Sequence, residues 1–340
     1  MQASVVAHPN IALVKYWGKR DSRLNLPAAG SLSLTLGPVA TKTTLSFGAA
    51  EDTLELNGVA VPASKRSRVA IVLSRVRDLV ELREGAAARV ALGGARIVST
   101  NDFPTAAGLA SSSSGFAALA LAATRAAGLD LPLPQLSALA REGSGSAARS
   151  LFGGFARMHA GNRSDGTDAF AEPLFDANHW DLRVIIAVTV EGEKEVASTD
   201  GMNLTERTSP YYAAWLATVE PDVEAAIPAI AARDFERLAR IAEASALRMH
   251  ASAIAADPGV LYWRGATVEV IHAVRRLRAG GLPVFFTIDA GPHVKVFCEA
   301  ASAPAVTAAL RDLPGVLRTI ETHPAPGARL FDADRFPDAL

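Results

Sequence analysis

The sequence predicts an α+β fold in which helices layer on sheets. Short alternating or β-branched runs, such as "TKTTLSF", "DTLELNG" and "LRVIIAVTV", are interleaved with long stretches of helical apolar spacing. At 340 residues, 49% hydrophobic and 20% charged, the chain can build a core large enough for two domains.

The elements follow in order. "TKTTLSF" and "DTLELNG" alternate and end in a turn signal, as hairpin strands do. Residues 65–84 place Val69, Val72, Leu73, Val76, Leu79 and Val80 on one helical stripe. "ARIVSTNDFP" reads as a strand halted by Pro104. A helix runs from Gly108 to Ala127 and ends at Gly128. Residues 182–190 form a buried strand by their β-branched run. Residues 209–280 read as three or four helices, with breaks near Pro228, Asp234 and Pro258-Gly259. Two strands, "LPVFFTI" and "HVKVFCEA", flank "DAGP", and a last helix covers 303–312. The change of character places a division at 184/185, between a 1–184 and a 185–340 domain.

The balance of 34 Lys and Arg against 35 Asp and Glu gives a net charge of −1. That argues against a nucleic-acid groove and leaves room for a local basic pocket. The single cysteine, Cys298, precludes an intrachain disulfide and a cysteine metal cluster, and its apolar strand pattern makes it a small core residue. A reducing, cytoplasmic setting fits this usage. The seven histidines show no close pairing, so no histidine metal site is expected. The N-terminus lacks a signal-peptide pattern, and no apolar run of spanning length is present.

Five segments carry possible chemistry. "PTAAGLASSSSG" opens the 108–127 helix with small residues and hydroxyls. It fits either a nucleotide-phosphate loop, using the unpaired N–H groups and partial positive charge of a helix start, or a serine-rich cap on a core helix. "EGSGSAARSLFGG" sets Ser146 and Arg149 three residues apart, on one helical face. Arg149 is either a fork for a carboxylate or phosphate, or an exposed cation behind a cap. "NIALVKYWGKRD" interleaves Lys15, Lys19 and Arg20 with Tyr16 and Trp17, as an anion site or as an alternating strand. Ser198 and Thr199 precede Asp200-Gly201 in what reads as an ordinary turn. Asp289 ends an apolar strand before Gly-Pro, a turn former also well placed for base work.

Together the strings "PNIALVKYWGKRD", "LPAAGSLSLTL", "FPTAAGLASSSSGFAALA", "GSGSAARSLFGGF", "STDGMNLTERTS" and "FFTIDAGP" resemble the diphosphomevalonate decarboxylase family of the GHMP kinase superfamily. They keep the family's order across residues 9–292. The resemblance implies an N-terminal half like ribosomal protein S5 domain 2, a ferredoxin-like C-terminal half and a site in the cleft between them. It implies ATP and Mg²⁺ as co-substrate and metal, 5-diphosphomevalonate as the small-molecule partner, neither nucleic acid nor membrane, and a homodimer. By position it assigns Asp289, Arg149 and Lys19 to catalysis. Substrate contacts fall to Tyr16, Trp17, Gly18, Lys19, Arg68, Ser144, Gly145, Ser146, Arg149, Ser198, Thr199 and Met202. The nucleotide phosphates fall to Pro104, Ala106, Gly108, Leu109, Ala110, Ser111, Ser112 and Ser113, with Ser112 on the metal. Two departures stand out: His293 where the family commonly has Asn after Asp-Ala-Gly-Pro, and "PAAGS" at 27–31 in place of Pro-Ile-Asn-Ser-Ser. A superfamily kinase that transfers phosphate without losing CO₂ is the nearest alternative, and a non-catalytic RNA-associated protein is a more distant one.

Overall fold

The computed structural model describes residues 1–103, 111–192 and 195–332. Among these residues the strands form three sheets. The first has the order β16 (Arg329–Leu330), β1 (Gln2–Ala7), β6 (Thr41–Ala49), β9 (Gly94–Asn101), β7 (Thr53–Leu56) and β8 (Val59–Ala60). The second runs β11 (Ala171–Phe175), β10 (Phe155–Met158), β5 (Ser31–Gly37), β15 (Arg318–Pro324), β12 (Leu182–Val188), β14 (Val294–Glu299) and β13 (Val284–Ile288), with β2 (Asn10–Val14) also paired to β5. The short ribbon of β3 (Lys19–Asp21) and β4 (Leu26–Pro27) stands apart. The expected division at 184/185 falls inside β12, in a sheet that takes strands from both halves of the chain.

Helices cover these sheets. The predicted stripe on α1 (Ser67–Glu84) buries Val72, Leu73, Val76 and Val80, while Val69 and Leu79 sit at its margin. With α2 (Ala86–Leu92), α3 (Ser111–Ala126), α4 (Leu133–Gly143) and the single turn α5 (Ala147–Ser150), it packs the first core around Val5, Leu45 and Ile97. The small residues of α3 (Ala117, Ala118, Ala120, Ala122 and Ala123) are all fully buried, which lets this helix lie close on β1 and β6. In the other half, α6 (Ser198–Thr208), α7 (Tyr212–Ala231) and α8 (Phe235–Ile254) face Ile11, Leu34, Ile186, Phe285 and Phe297. Helices α9 (Gly265–Ala279) and α10 (Ala303–Arg311) cover the opposite face through Val270, Val274 and Val306 against Phe286 and Val296. Alternation along β13 thus sends Phe285 to one core and Phe286 to the other. Among the described residues no helix is long and apolar enough to cross a membrane.

Three expectations change. First, β6 and β7 do not pair with each other, because β9 lies between them. The Asp52 carboxylate accepts the Ala95 N–H at 2.8 Å and pairs with Arg77, which docks β9 there. The Asn57-Gly58 turn joins β7 to β8 instead. Second, Pro228 lies within the last turn of α7, where its missing N–H costs one hydrogen bond while Val219, Val223, Ala226 and Ile230 hold the helix in the core. Third, Ser198 and Thr199 start a helix and not a turn. Asp200 in its first turn complements the positive helix end.

Strand β13, which carries Asp289 at its end, lies on the edge of its sheet. Its outward backbone groups are satisfied by side chains. The Phe286 N–H donates to Glu243 at 3.1 Å, and Arg278 Nε donates to the Val284 carbonyl at 2.9 Å. Glu243 and Arg278 also form an ion pair, so one linked pair closes the edge. Glu243→Ala leaves the Phe286 N–H without its acceptor and is expected to cost about 1–3 kcal/mol. Glu243→Gln keeps an acceptor oxygen and should cost less. Urea denaturation of both variants checks the order.

Candidate active site

The second sheet, the head of α3, the α4–α5 turn and the start of α6 enclose a cavity of about 550 Å³. Among the described residues lining it are six cations (Lys15, Lys19, Arg68, Arg149, Arg264 and Lys295) and two carboxylates, Glu195 and Asp289. A chain of net charge −1 therefore gathers a strong local excess of positive charge at one place. Such a field attracts a polyanion.

At its floor, Lys15 Nζ donates to Asp289 Oδ1 at 2.7 Å. Lys15 sits just past β2 and is 1% exposed, whereas the Asp289 side chain keeps 31% of its surface open. The Ala12 carbonyl accepts from both Lys15 Nζ, at 2.7 Å, and Thr287 Oγ1, at 3.2 Å, which locks the end of β2 to β13. Burial pushes the Asp289 carboxyl up, but Lys15, Lys295 and Arg149 outweigh it and hold the group below the usual carboxylate range. Behind this pair lies His250, fully buried on α8 against Tyr262 and Trp263. Burial, then the Lys15 charge, depresses its imidazole to about 3. It is neutral, with Nε2–H donating to the Ile288 carbonyl at 3.3 Å.

Arg149, on α5, is 2% exposed. Its Nε donates to Ser33 Oγ at 3.0 Å, Nη1 to Ser31 Oγ at 2.5 Å and Nη2 to Asn10 Oδ1 at 3.3 Å. These acceptors are all neutral. Among the described residues no carboxylate lies within ion-pair distance of the guanidinium. Burial brings it down to about 10, so it stays charged at neutral pH. Asn10 also donates to Ser150 Oγ at 2.7 Å and to the Ser146 carbonyl at 3.0 Å, tying the serine turn to β2.

The Tyr16 hydroxyl is buried, has no hydrogen-bond partner among the described residues and stands so close to Gly145 that a Cβ there would lie 2.4 Å from it. Burial pushes this hydroxyl up to about 12, so it is a neutral donor. Trp17 packs edge-on against Tyr262 at 6.1 Å. Gly18, at φ +94°, turns the chain where a side chain would collide with Tyr212. It stands behind the cavity wall and not in it. Lys19 Nζ donates to Thr199 Oγ1 at 3.5 Å. Burial, then Arg68, lowers the Lys19 pKa. Arg68, in the first turn of α1, lies over the Phe116 ring at 5.4 Å.

The structure thus brings Tyr16, Trp17, Lys19, Arg68, Ser144, Gly145, Ser146, Arg149, Ser198, Thr199, Met202 and Asp289 to one cavity, together with Ser111 and Ser112. Ser144 Oγ donates to Ser112 Oγ at 3.4 Å, which joins the two serine runs. Ser113 is fully buried, and its hydroxyl accepts from the Asn10 N–H at 3.4 Å. Pro104, Ala106, Gly108, Leu109 and Ala110 lie outside the described residues. The sequence pointed to Lys15 only as one cation of a possible anion site, and gave no role to Lys295, Asn10 or Asn25. Lys295 had a usable signal, a cation in the apolar strand "HVKVFC" at a position that alternation turns inward.

Comparison with known proteins agrees with this geometry. The diphosphomevalonate decarboxylase-like N-terminal domain matches residues 7–171, and the mevalonate 5-diphosphate decarboxylase C-terminal domain matches residues 184–325. The diphosphomevalonate decarboxylase of Aspergillus fumigatus is 39% identical over 327 residues, covering 92% of this chain and 81% of that protein. A solved structure of mevalonate diphosphate decarboxylase from Enterococcus faecalis has a TM-score of 0.87 at 39% identity, covering 98% of this chain and 99% of that one. Another, described as MDDEF in complex with MVAPP, AMPPCP and magnesium, reaches 0.89 at 40% identity with the same coverage. The fold is of the GHMP type, and the chain belongs to the diphosphomevalonate decarboxylase family.

Proposed function

We infer that the chain catalyses the ATP-dependent decarboxylation of (R)-5-diphosphomevalonate to isopentenyl diphosphate, with ADP, phosphate and CO₂ as the other products. One observation carries the reading: a lysine-bound carboxylate and a buried guanidinium without a carboxylate partner line the same basic cavity. The substrate offers a diphosphate, a carboxylate and a tertiary hydroxyl, and the cavity has a group for each.

Arg149 takes the substrate carboxylate in its planar fork. Tyr16, Lys19 and the Ser144–Ser146 turn take the diphosphate, with Arg68, Ser198, Thr199 and Met202 closing the walls. The orphaned Tyr16 hydroxyl gains its missing partner in this way. Ser111 and Ser112, at the positive end of α3, face the nucleotide phosphates. Among the described residues no three carboxylates, histidines or cysteines cluster. A hydroxyl and phosphate oxygens remain as donors, and such a set fits Mg²⁺, with Ser112 holding it. When bound, the ion neutralises charge between the phosphates.

Asp289 accepts a hydrogen bond from the tertiary hydroxyl and aims its oxygen at the γ-phosphorus. A carboxylate held this low is a weak base for an alcohol, so its main contribution is orientation. The hydroxyl oxygen bonds to the γ-phosphorus as the bond to ADP breaks, the hydroxyl proton passes to the Asp289 carboxylate late in the transfer, and the new ester then loses phosphate. The electron pair of the bond to the carboxylate becomes the alkene, and CO₂ departs. Positive charge grows on the third carbon as phosphate leaves, and the nearby carboxylate stabilises it. We likewise propose a cytoplasmic homodimer, on the family resemblance alone.

An assay of ATP-dependent CO₂ and phosphate release from 5-diphosphomevalonate tests the reading. A phosphorylated product that keeps its carboxylate would make the chain a kinase. Asp289→Asn should lower turnover by about 10²–10⁴-fold, with ATP affinity by fluorescence titration unchanged. Arg149→Met should lower turnover by at least about 10²-fold. Arg149→Lys should recover little of it, because the fork is lost while the charge stays. For Tyr16→Phe the expected effect is on binding. One hydrogen bond to a charged group is worth about 1.5–3 kcal/mol, so substrate affinity measured by calorimetry should fall about 10- to 100-fold.

A further inference from the structure

Lys295 has no part in the reading above, yet it is 3% exposed and lines the cavity. Its position follows from strand register. On the β13–β14 ladder Lys295 stands opposite Thr287, and cross-strand partners project to the same face. Thr287 Oγ1 reaches the Ala12 carbonyl, the same oxygen that accepts from Lys15 Nζ, so this face looks toward Lys15. Asp289 lies two residues beyond Thr287. It stands one residue past the end of β13, beside that face, where the Lys295 charge acts on it, while among the described residues only Lys15 lies within ion-pair distance of its carboxylate. Lys295 Nζ also donates to the His293 carbonyl at 3.4 Å, which bends the ammonium back over the turn that carries Asp289.

We propose that Lys295 is a positioning residue for Asp289: its ammonium and that of Lys15 bracket the carboxylate from two different strands and fix it for the tertiary hydroxyl. Lys15 occupies Oδ1, and among the described residues no side-chain donor bonds to Oδ2, which is the oxygen left for substrate. A carboxylate held by one ammonium can swing about that contact, and a second positive charge on the adjacent strand removes the freedom. The same charge opposes the burial that would otherwise raise the carboxyl group. Among the described residues, the other groups facing Asp289 are Arg149 from α5, neutral His250 from α8 and His293 from the turn, whose Nδ1 accepts the Thr189 N–H at 3.1 Å. The inference rests on Asp289 serving as the Proposed function assigns it.

The test compares wild type, Lys295→Met and Lys295→Arg by the pH dependence of kcat/KM for CO₂ release, with thermal melting to establish folding. Lys295→Gln replaces the Met variant should that one not fold. Loss of the cation should raise the pH at which Asp289 ionises and so move the acid limb of the profile up. KM for ATP should be unchanged. Lys295→Arg should return the limb to its wild-type position. A folded Met or Gln variant whose acid limb coincides with wild type overturns the inference, whatever its kcat, and so does an Arg variant shifted as far as Met. Asp289→Asn is assayed beside them. If it retains wild-type turnover, the role of Asp289 itself fails. If it is inactive and the limb of the Lys295 variants is unmoved, only the Lys295 inference fails.

Discussion

A single hydrogen-bonded ion pair, Lys15 to Asp289, joins residues 274 positions apart and sets where everything else in the cavity must lie. Burying Lys15 is costly, and the contact with Asp289 alone does not repay the lost hydration. The fold adds the Ala12 carbonyl as a second acceptor, and Ser245 Oγ accepts the Lys15 N–H at 3.0 Å. The cation is thus held by β2, β13 and α8 at once. Such a pair contributes little net stability compared with an apolar replacement, so its value is positional. It fixes a charged oxygen at the end of an edge strand, where backbone alone would fray.

Around that pair the molecule concentrates positive charge with few protein anions to balance it. Arg149 is the clearest case, a guanidinium gripped by hydroxyl and amide oxygens alone. Neutral acceptors orient it and leave its charge unspent. Tyr16 follows the same logic in neutral form, as a buried donor with no acceptor among the described residues.

Much of this was legible in the sequence, for reasons that differ by element. The stripe of α1 and the Gly128 stop of α3 are local signals, set by residues within a few turns. Motifs at 10–21, 142–154 and 285–292 named most of the cavity walls because small residues, cations and a strand-end aspartate are unusual in those contexts. Non-local packing was not legible. The insertion of β9 between β6 and β7 depends on Asp52 meeting Ala95 and Arg77, a contact without a periodic trace. Ser198 began a helix because Met202, one turn on, faces a core formed by distant segments, with Gly201 and Thr205 buried beside it. Asn10 looked like an ordinary strand residue, and its hold on Arg149 and Ser150 emerges only when the α5 turn folds against β2.

The closing strands have a further consequence. Pro324 pairs with Leu36, Ala325 exchanges backbone hydrogen bonds with Thr35 and Gly154, and Leu330 pairs with Val5. Segments near residue 330 therefore finish sheets begun by strands about 300 residues earlier. While the ribosome is still working, the outer edge of β1 and the end of β5 are open to stray pairing with other nascent chains. Native closure must wait for these distant strands, which makes folding of the two sheets strongly non-local.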